Sequence, residues 1–202
     1  VVAGPPCQGF SLTGPRKLGD KRNALYKAVY ELVRKAKPKA FLIENVKGMA
    51  TLYNGKVKED IVQEFTKLGY KVTTKILNSK DFGVPQSRER LFYIGLKEKE
   101  FEFPLALFNK DEYTTCKEAL EDLPSLENLE ETLSYTSNER SDYQKLIKNG
   151  SSKLSNHQPT KHTQEVIAVI KQVPEGGNHK DLPPGVGESR KFNEAWTRYH
   201  GN

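Results

Sequence analysis

The chain has 202 residues, which allows one large domain or two small ones, and a chain of this length buries a core without disulfide bonds. The lack of any run of 18 apolar residues excludes a membrane-spanning helix. The net charge of +6 is uneven, because residues 1–104 hold 20 Lys and Arg against 11 Asp and Glu, whereas residues 105–202 hold 12 against 15. A basic first half suits a polyanionic partner such as nucleic acid, although a solvated lysine-rich surface explains the charge equally well.

Short apolar runs and amphipathic stretches alternate through the first half of the chain. Strands are predicted at residues 1–3, 40–44, 70–78 and 91–96, and helices at residues 23–37 and 58–68. This order is typical of the back half of an open α/β sheet, in which ligands bind at the carboxyl ends of the strands. From about residue 105 the pattern is less regular and predicts one helix, near residues 164–172, so we divide the chain into regions 1–104 and 105–202.

The segment GPPCQGFS, residues 4–11, places a cysteine directly after two prolines at the end of the first predicted strand. Proline stiffens the backbone before Cys7, and Gly9 lets the chain turn away after it, so the thiol is accessible and oriented as a nucleophile needs to be. A lone cysteine is more often an inert core residue, but the Pro-Pro-Cys-Gln context favours a catalytic thiol.

Two further segments bring polar side chains to the same predicted edge of the sheet. Glu44 closes the second predicted strand in the sequence ENV, where its carboxyl group is able to donate a proton if burial raises its pKa; the plain alternative is a surface glutamate. In the sequence QSRER, the side chains of Gln86, Arg88 and Arg90 share one face of an extended segment. They suit phosphate or base oxygens, although a structural Arg–Glu network explains them too. If the last strand is antiparallel to the others, these side chains meet Cys7 and Glu44 at one cleft.

With these three segments the chain resembles the DNA (cytosine-5) methyltransferases. GPPCQGFS is similar to the nucleophile motif of the family, ENV to its acid motif and QSRER to its Gln-x-Arg-x-Arg motif, in the same order and spacing. The resemblance is dense over residues 1–104 and continues weakly through Asn156, His157 and the Gly176 and Gly177 pair. It implies the latter half of a Rossmann-like S-adenosylmethionine-dependent methyltransferase sheet, followed by a less regular region that leads into a target-recognition domain.

The resemblance also implies an activity, the methylation of cytosine in duplex DNA. Cys7 is then the residue that adds to C6 of a flipped-out cytosine, Glu44 serves N3, and C5 takes the methyl group of S-adenosylmethionine. Arg90 holds the cytosine or its adduct, and Arg88 contacts the DNA backbone or supports the site. Bacterial restriction-modification is the setting that fits. The other DNA-contacting positions that the resemblance implies are Gln8, Ser11, Thr13 and Gln86.

The cofactor assignment is the least complete part of the resemblance. Only Pro6 and Leu25 match positions that line S-adenosylmethionine in the family. Its glycine-rich cofactor loop would precede Val1, so we expect a fragment or one subunit of a split enzyme that binds S-adenosylmethionine poorly by itself. Cys7 and Cys116, the only cysteines, indicate a reducing cytoplasm, and the lack of a CxxC or His/Cys cluster predicts no metal.

Two alternatives stay open. A family branch that methylates cytosine in transfer RNA tends to have Pro-Phe-Thr after the glutamine of the nucleophile motif, whereas Gly9-Phe10-Ser11 here favours DNA. A DNA-binding remnant without turnover is disfavoured, because Cys7 and Arg90 are both intact, as is the acid between them.

Overall fold

The computed structural model describes residues 1–5, 25–126, 134–158, 160–174 and 176–187. They fall into two compact units, Val1–Asp111 and Glu112–Asn202. The strands described are β1 (Val2–Ala3), β2 (Ala40–Val46), β3 (Lys71–Asn78) and β4 (Glu89–Leu96). The α-helices described are α1 (Leu25–Ala36), α2 (Lys56–Lys67), α3 (Cys116–Leu120), α4 (Asp142–Lys148) and α5 (Gln164–Lys171).

The first unit is built around a four-stranded sheet with the strand order β1-β2-β4-β3. β1 is parallel to β2, and β4 is antiparallel to both β2 and β3. The carboxyl ends of β1, β2 and β3 and the start of β4 therefore lie at one edge of the sheet. This arrangement confirms the α/β class, and it meets the condition that the last strand be antiparallel to the others.

One face of the sheet is buried together with residues of α1 and α2. Phe41 and Ile43 alternate along β2 and join Val33 of α1 and Phe65 of α2 in one buried cluster. The rings of Phe41 and Phe65 have centroids 4.4 Å apart. Gly95 of β4 pairs with Phe41, and a Cβ at that position would overlap the phenylalanine ring, so a glycine is needed there.

The observed strands and helices of the first unit differ from the predicted ones at their boundaries. β2 continues past Glu44 to Val46, because its last residues pair with β4. β4 starts at Glu89 and not at residue 91, so Arg90 lies within the strand and not before it. α2 starts at Lys56, earlier than predicted, directly after Gly55 in a left-handed conformation with φ 86°.

The second unit contains more regular structure than the sequence predicted. α5 confirms the predicted helix, whereas α3 and α4 were not predicted. In α4 the ammonium group of Lys148 is buried, 2.7 Å from Asp122 Oδ2 and 3.7 Å from the centroid of the Tyr135 ring.

Within the described part of the chain, no helix combines the length and the apolar character that crossing a membrane requires.

Candidate active site

The carboxyl end of β2 carries an acid and an amide in succession. The side chain of Glu44 is about one-third exposed, whereas Asn45 is buried. The Asn45 amide donates to the carbonyl oxygen of Pro5 over 3.4 Å, and its Oδ1 accepts from the Val46 N–H at 2.9 Å. Asn45 thereby joins Pro5, which follows β1, to the part of the sheet that holds Glu44. Pro5 precedes Cys7 by two positions in the sequence.

β4 starts at this edge, and Arg90 of β4 and Arg88, just before the strand, both approach Glu44. The Nε of Arg90 is 2.8 Å from Glu44 Oε1, and its Nη1 donates to the carbonyl oxygen of Glu89 at 2.9 Å. The guanidinium of Arg88 is 3.9 Å from the same carboxylate oxygen, and its side chain is about half exposed. Because residues two apart in an extended segment share a face, both arginines reach one carboxylate.

The carboxylate of Glu44 also faces the strand that leads towards Cys7. β1 and β2 are parallel with Ala3 opposite Ile43, which places Gly4 beside Glu44. A Cβ added at Gly4 would lie 3.7 Å from Glu44 Oε2. One carboxylate oxygen therefore contacts Arg88 and Arg90, while the other is close to the backbone at the end of β1.

The turn that enters β4 is held by side chains from the end of β3. Asn78 Oδ1 accepts from the Arg88 N–H at 3.0 Å, and its Nδ2 donates to Ser87 Oγ at 3.3 Å. The Ser79 N–H donates to the carbonyl oxygen of Arg88 at 3.1 Å, and the Ser79 hydroxyl donates to that of Gln86. These bonds fix the backbone of the QSRER segment, so the two arginines are oriented by the fold.

A cleft of about 390 Å³ opens between the end of β2 and the start of β4. Its lining is charged or polar apart from one valine and one glycine, and the ammonium of Lys47 contacts the carboxylate of Glu89 within it. The lining residues are Val46, Lys47, Gly48, Gln86, Ser87, Arg88, Glu89 and Arg90. This composition suits an anionic or hydrogen-bonding ligand.

Comparison with known protein families identifies the family of the chain. The family model of the C-5 cytosine-specific DNA methylases matches residues 1–197. The chain belongs to this family. The resemblance predicted from GPPCQGFS, ENV and QSRER is therefore confirmed.

Curated members of the C-5 cytosine-specific DNA methylase family are similar to the chain over much of its length. It is 41% identical over 177 residues to the type II methyltransferase M.DdeI of Desulfomicrobium norvegicum, covering 83% of the chain and 43% of that protein. It is 35% identical over 212 aligned positions to the type II methyltransferase M1.HphI of Haemophilus parahaemolyticus, covering 100% of the chain and 50% of that protein. The chain thus spans about half the length of the curated relatives it matches.

A solved structure shares the fold. It is the crystal structure described as a DNA modification methyltransferase encoded within a prophage (E. coli), which matches 98% of the chain and 60% of its own with a TM-score of 0.62. The two are 22% identical, so this likeness bears on the fold alone. It confirms the predicted Rossmann-like methyltransferase sheet.

The structure brings together part of the site predicted for this methylase. Glu44, Arg88 and Arg90 are in contact, and Gln86 lines the adjoining cleft. The side chain of Leu25, the first residue of α1, is not among those described. The predicted site residues that lie outside the described part of the chain are Pro6, Cys7, Gln8, Ser11 and Thr13.

Sequence reasoning missed several residues that shape the site. The sequence singled out Asn45 only as part of ENV. Its burial follows from the alternation of buried and partly buried side chains along β2. Asn78 and Ser79 carry the usual signature of a turn, which could have suggested their bonds to the QSRER backbone. Lys47 and Glu89 are 42 positions apart, so their contact emerges only from the strand register.

Neither a metal nor the methyl donor fits the described cleft. Among the described residues, no group of three or more His, Cys, Asp or Glu is placed to hold a metal ion. The cleft offers one valine and no aromatic side chain, so it lacks the apolar wall that an adenine ring requires. S-adenosylmethionine therefore does not fit this cleft.

Proposed function

We propose that the chain is the catalytic part of a DNA (cytosine-5) methyltransferase of a bacterial restriction-modification system, acting in the cytoplasm. It transfers a methyl group from S-adenosylmethionine to C5 of a cytosine that is flipped out of duplex DNA, through a covalent adduct with Cys7. The observation that carries the proposal is the contact between Glu44 and Arg90, 2.8 Å apart, at the edge where β1 ends. The type II methyltransferases among the relatives support the restriction-modification setting.

Chain connectivity limits how far the proposed nucleophile can lie from Pro5, which follows β1. Cys7 comes two residues after Pro5, and two residues of extended chain span at most about 7 Å. Pro5 is bonded to Asn45, the neighbour of Glu44. Chain connectivity therefore supports a thiol close to the Glu44 carboxylate, as a reaction on one pyrimidine ring requires.

Glu44 and Arg90 then act at the edge of the ring that takes up the developing negative charge. The Arg90 guanidinium fixes the orientation of the Glu44 carboxylate and presents a cation to the oxygen of the base. Arg88, which is more exposed, contacts the DNA backbone together with Gln86. Gln8, Ser11 and Thr13 contribute further contacts with DNA from the segment after Cys7.

The reaction needs a nucleophile because C5 of cytosine is weakly nucleophilic. The Cys7 thiolate adds to C6, and the displaced electron pair is taken up at N3, which Glu44 protonates. C5 then attacks the methyl group, whose bond to the sulfonium sulfur of the donor would break and leave a neutral thioether. A base removes the C5 proton, the C5–C6 double bond reforms, the thiolate leaves, and N3 returns its proton to Glu44.

The methyl donor is held by other residues than those of the described cleft. S-adenosylmethionine supplies a methyl group on a positively charged sulfur. Pro6 and Leu25 are the residues of this chain that we assign to it.

Trapping on duplex DNA that contains 5-fluorocytosine tests the proposal. After methyl transfer the ring carries fluorine at C5 and has no proton to lose there, so the adduct persists through denaturing electrophoresis. We expect an adduct in the presence of S-adenosylmethionine and any companion polypeptide. It disappears with Cys7→Ser and persists with Cys116→Ser, which removes the other cysteine.

The alternatives give different outcomes in the same experiment. An adduct with 5-fluorocytosine in transfer RNA but not in DNA assigns the chain to the RNA-modifying branch. DNA binding without an adduct under any of these conditions makes it a binding remnant. Either result rejects the proposed function.

A further inference from the structure

Lys47 and Glu89 form an ion pair in the cleft, and neither residue takes part in the proposed chemistry. Lys47 is the first residue after β2, and Glu89 is the first residue of β4. The antiparallel register that pairs Val46 with Arg90 places the residue after Val46 beside Glu89. The charged ends of the pair are in contact, so the pair joins the two walls of the cleft.

The cations of the cleft are not equally available to a ligand. Arg90 is 23% exposed and its Nε contacts Glu44, whereas Arg88 and Lys47 are 51% and 46% exposed. Arg88 and Arg90 lie on the wall of the cleft that is formed by β4 and the residues just before it. Among the described residues that line the cleft, Lys47 alone brings a positive charge from the β2 wall.

We propose that Lys47 contacts a phosphate of the bound DNA and that Glu89 holds its ammonium group in place until that phosphate replaces the carboxylate. This inference rests on the proposed function, because the ligand is the DNA strand that carries the target cytosine. Glu89 then competes with DNA for Lys47 and weakens binding to polyanions in general.

Replacing the Glu89 carboxylate with a DNA phosphate as the partner of Lys47 is physically favourable. An exposed ion pair contributes little to stability, so giving up the carboxylate costs little. A phosphate that takes its place releases counterions from the DNA, which strengthens binding at low salt.

Salt-dependent DNA binding tests the inference. We would measure the affinity of the unaltered chain, Lys47→Gln and Glu89→Gln for a duplex by fluorescence anisotropy at several salt concentrations. Lys47→Gln should weaken binding and reduce the slope of log affinity against log salt by about 0.9, the value for one phosphate contact. Glu89→Gln should tighten binding several-fold and leave the slope unchanged.

Lys67→Gln is the matched control. Lys67 pairs with Glu64 at 2.7 Å on α2 and is exposed like Lys47, but it does not line the cleft. Its loss should therefore leave the slope unchanged. A merely structural role for the Lys47–Glu89 pair predicts that both of its variants weaken binding alike. That result, or an unchanged slope for Lys47→Gln, overturns the inference.

The two proposals fail in distinguishable ways. If the unaltered chain forms the 5-fluorocytosine adduct but Lys47→Gln keeps its salt slope, the inference about Lys47 is wrong and the function stands. If the unaltered chain neither binds DNA nor forms the adduct, both are rejected.

Discussion

In the proposed reaction, Glu44 near the end of β2 serves both structure and chemistry. Its Oε1 contacts Arg88 and Arg90, while its Oε2 lies near Gly4. A carboxylate placed in this way orients the cations, and in the proposed reaction it also exchanges a proton with the cytosine. The two tasks are separated by the substitution Glu44→Gln, which keeps the size and one oxygen but removes the acid.

We expect Glu44→Gln to slow methyl transfer by about 10²–10⁴-fold, the usual contribution of a general acid. DNA affinity should not fall, because the substitution removes a negative charge. Single-turnover methylation and DNA binding, measured separately, check this. Glu31→Gln is the control, since Glu31 pairs with Arg34 at 2.7 Å on the exposed face of α1 and should leave both quantities unchanged. A rate near that of the unaltered protein would show that Glu44 does not transfer the proton.

Gly95 is a second single residue on which the sheet depends. In Gly95→Ala the new methyl group would overlap the ring of Phe41, which is itself packed against Phe65. We expect the free energy of unfolding to fall by about 1–3 kcal/mol, as for other overpacked cores. Urea denaturation measures it. Adding Phe41→Leu should restore part of the loss, whereas additive losses in the double variant would contradict a clash between these two positions.

At the scale of elements, local sequence signals predicted most of the first unit. A short apolar run located β2, alternation located β3, and helical periodicity located α1 and α2, each to within a few residues, because these elements bury apolar side chains in the common core. The strand order and the register were not predictable in this way. They depend on contacts between distant segments, and the pairing of Val46 with Arg90 is what brings the QSRER segment to Glu44.

The short helices of the second unit were missed because five to seven residues give too little periodicity to detect. A capping signal was nevertheless present. The sequence TCKE is a capping box, in which the Thr115 hydroxyl accepts from the Glu118 N–H at 3.1 Å and the Glu118 carboxylate accepts from the Thr115 N–H at 2.7 Å. Such signals merit weight even where periodicity is weak.

The capping box gives α3 a pH dependence. The backbone N–H of Thr115, and then its hydroxyl, lower the pKa of Glu118 below its usual value. The stabilisation is therefore present above the unfolded pKa of about 4.3 and is lost as the pH falls through the lower folded value. The difference in unfolding free energy between the unaltered chain and Glu118→Gln should be largest near neutral pH and vanish in acid. A difference that grows in acid would contradict this.

Removal of the cap residue is the matching test at neutral pH. Thr115→Ala should cost about 1 kcal/mol of stability. Thermal unfolding of the two proteins measures the loss, and equal stability would show that the cap does not hold α3.

At the scale of the whole molecule, charge and chemistry coincide. The basic surplus lies in residues 1–104, which also hold the three motifs and the cleft, while the later residues carry an acidic surplus. Composition alone left a nucleic-acid partner and a solvated lysine-rich surface equally plausible. The motifs and the family membership favour nucleic acid, since the cleft that adjoins Glu44 lies in this basic part of the chain.

In the proposed reaction, one sulfur attacks a cytosine ring next to a carboxylate that arginines fix. The most direct test is tandem mass spectrometry of the peptide joined to DNA that contains 5-fluorocytosine. We predict that the modified peptide carries its pyrimidine on Cys7. An adduct on Cys116 or on any residue other than Cys7 would contradict the account.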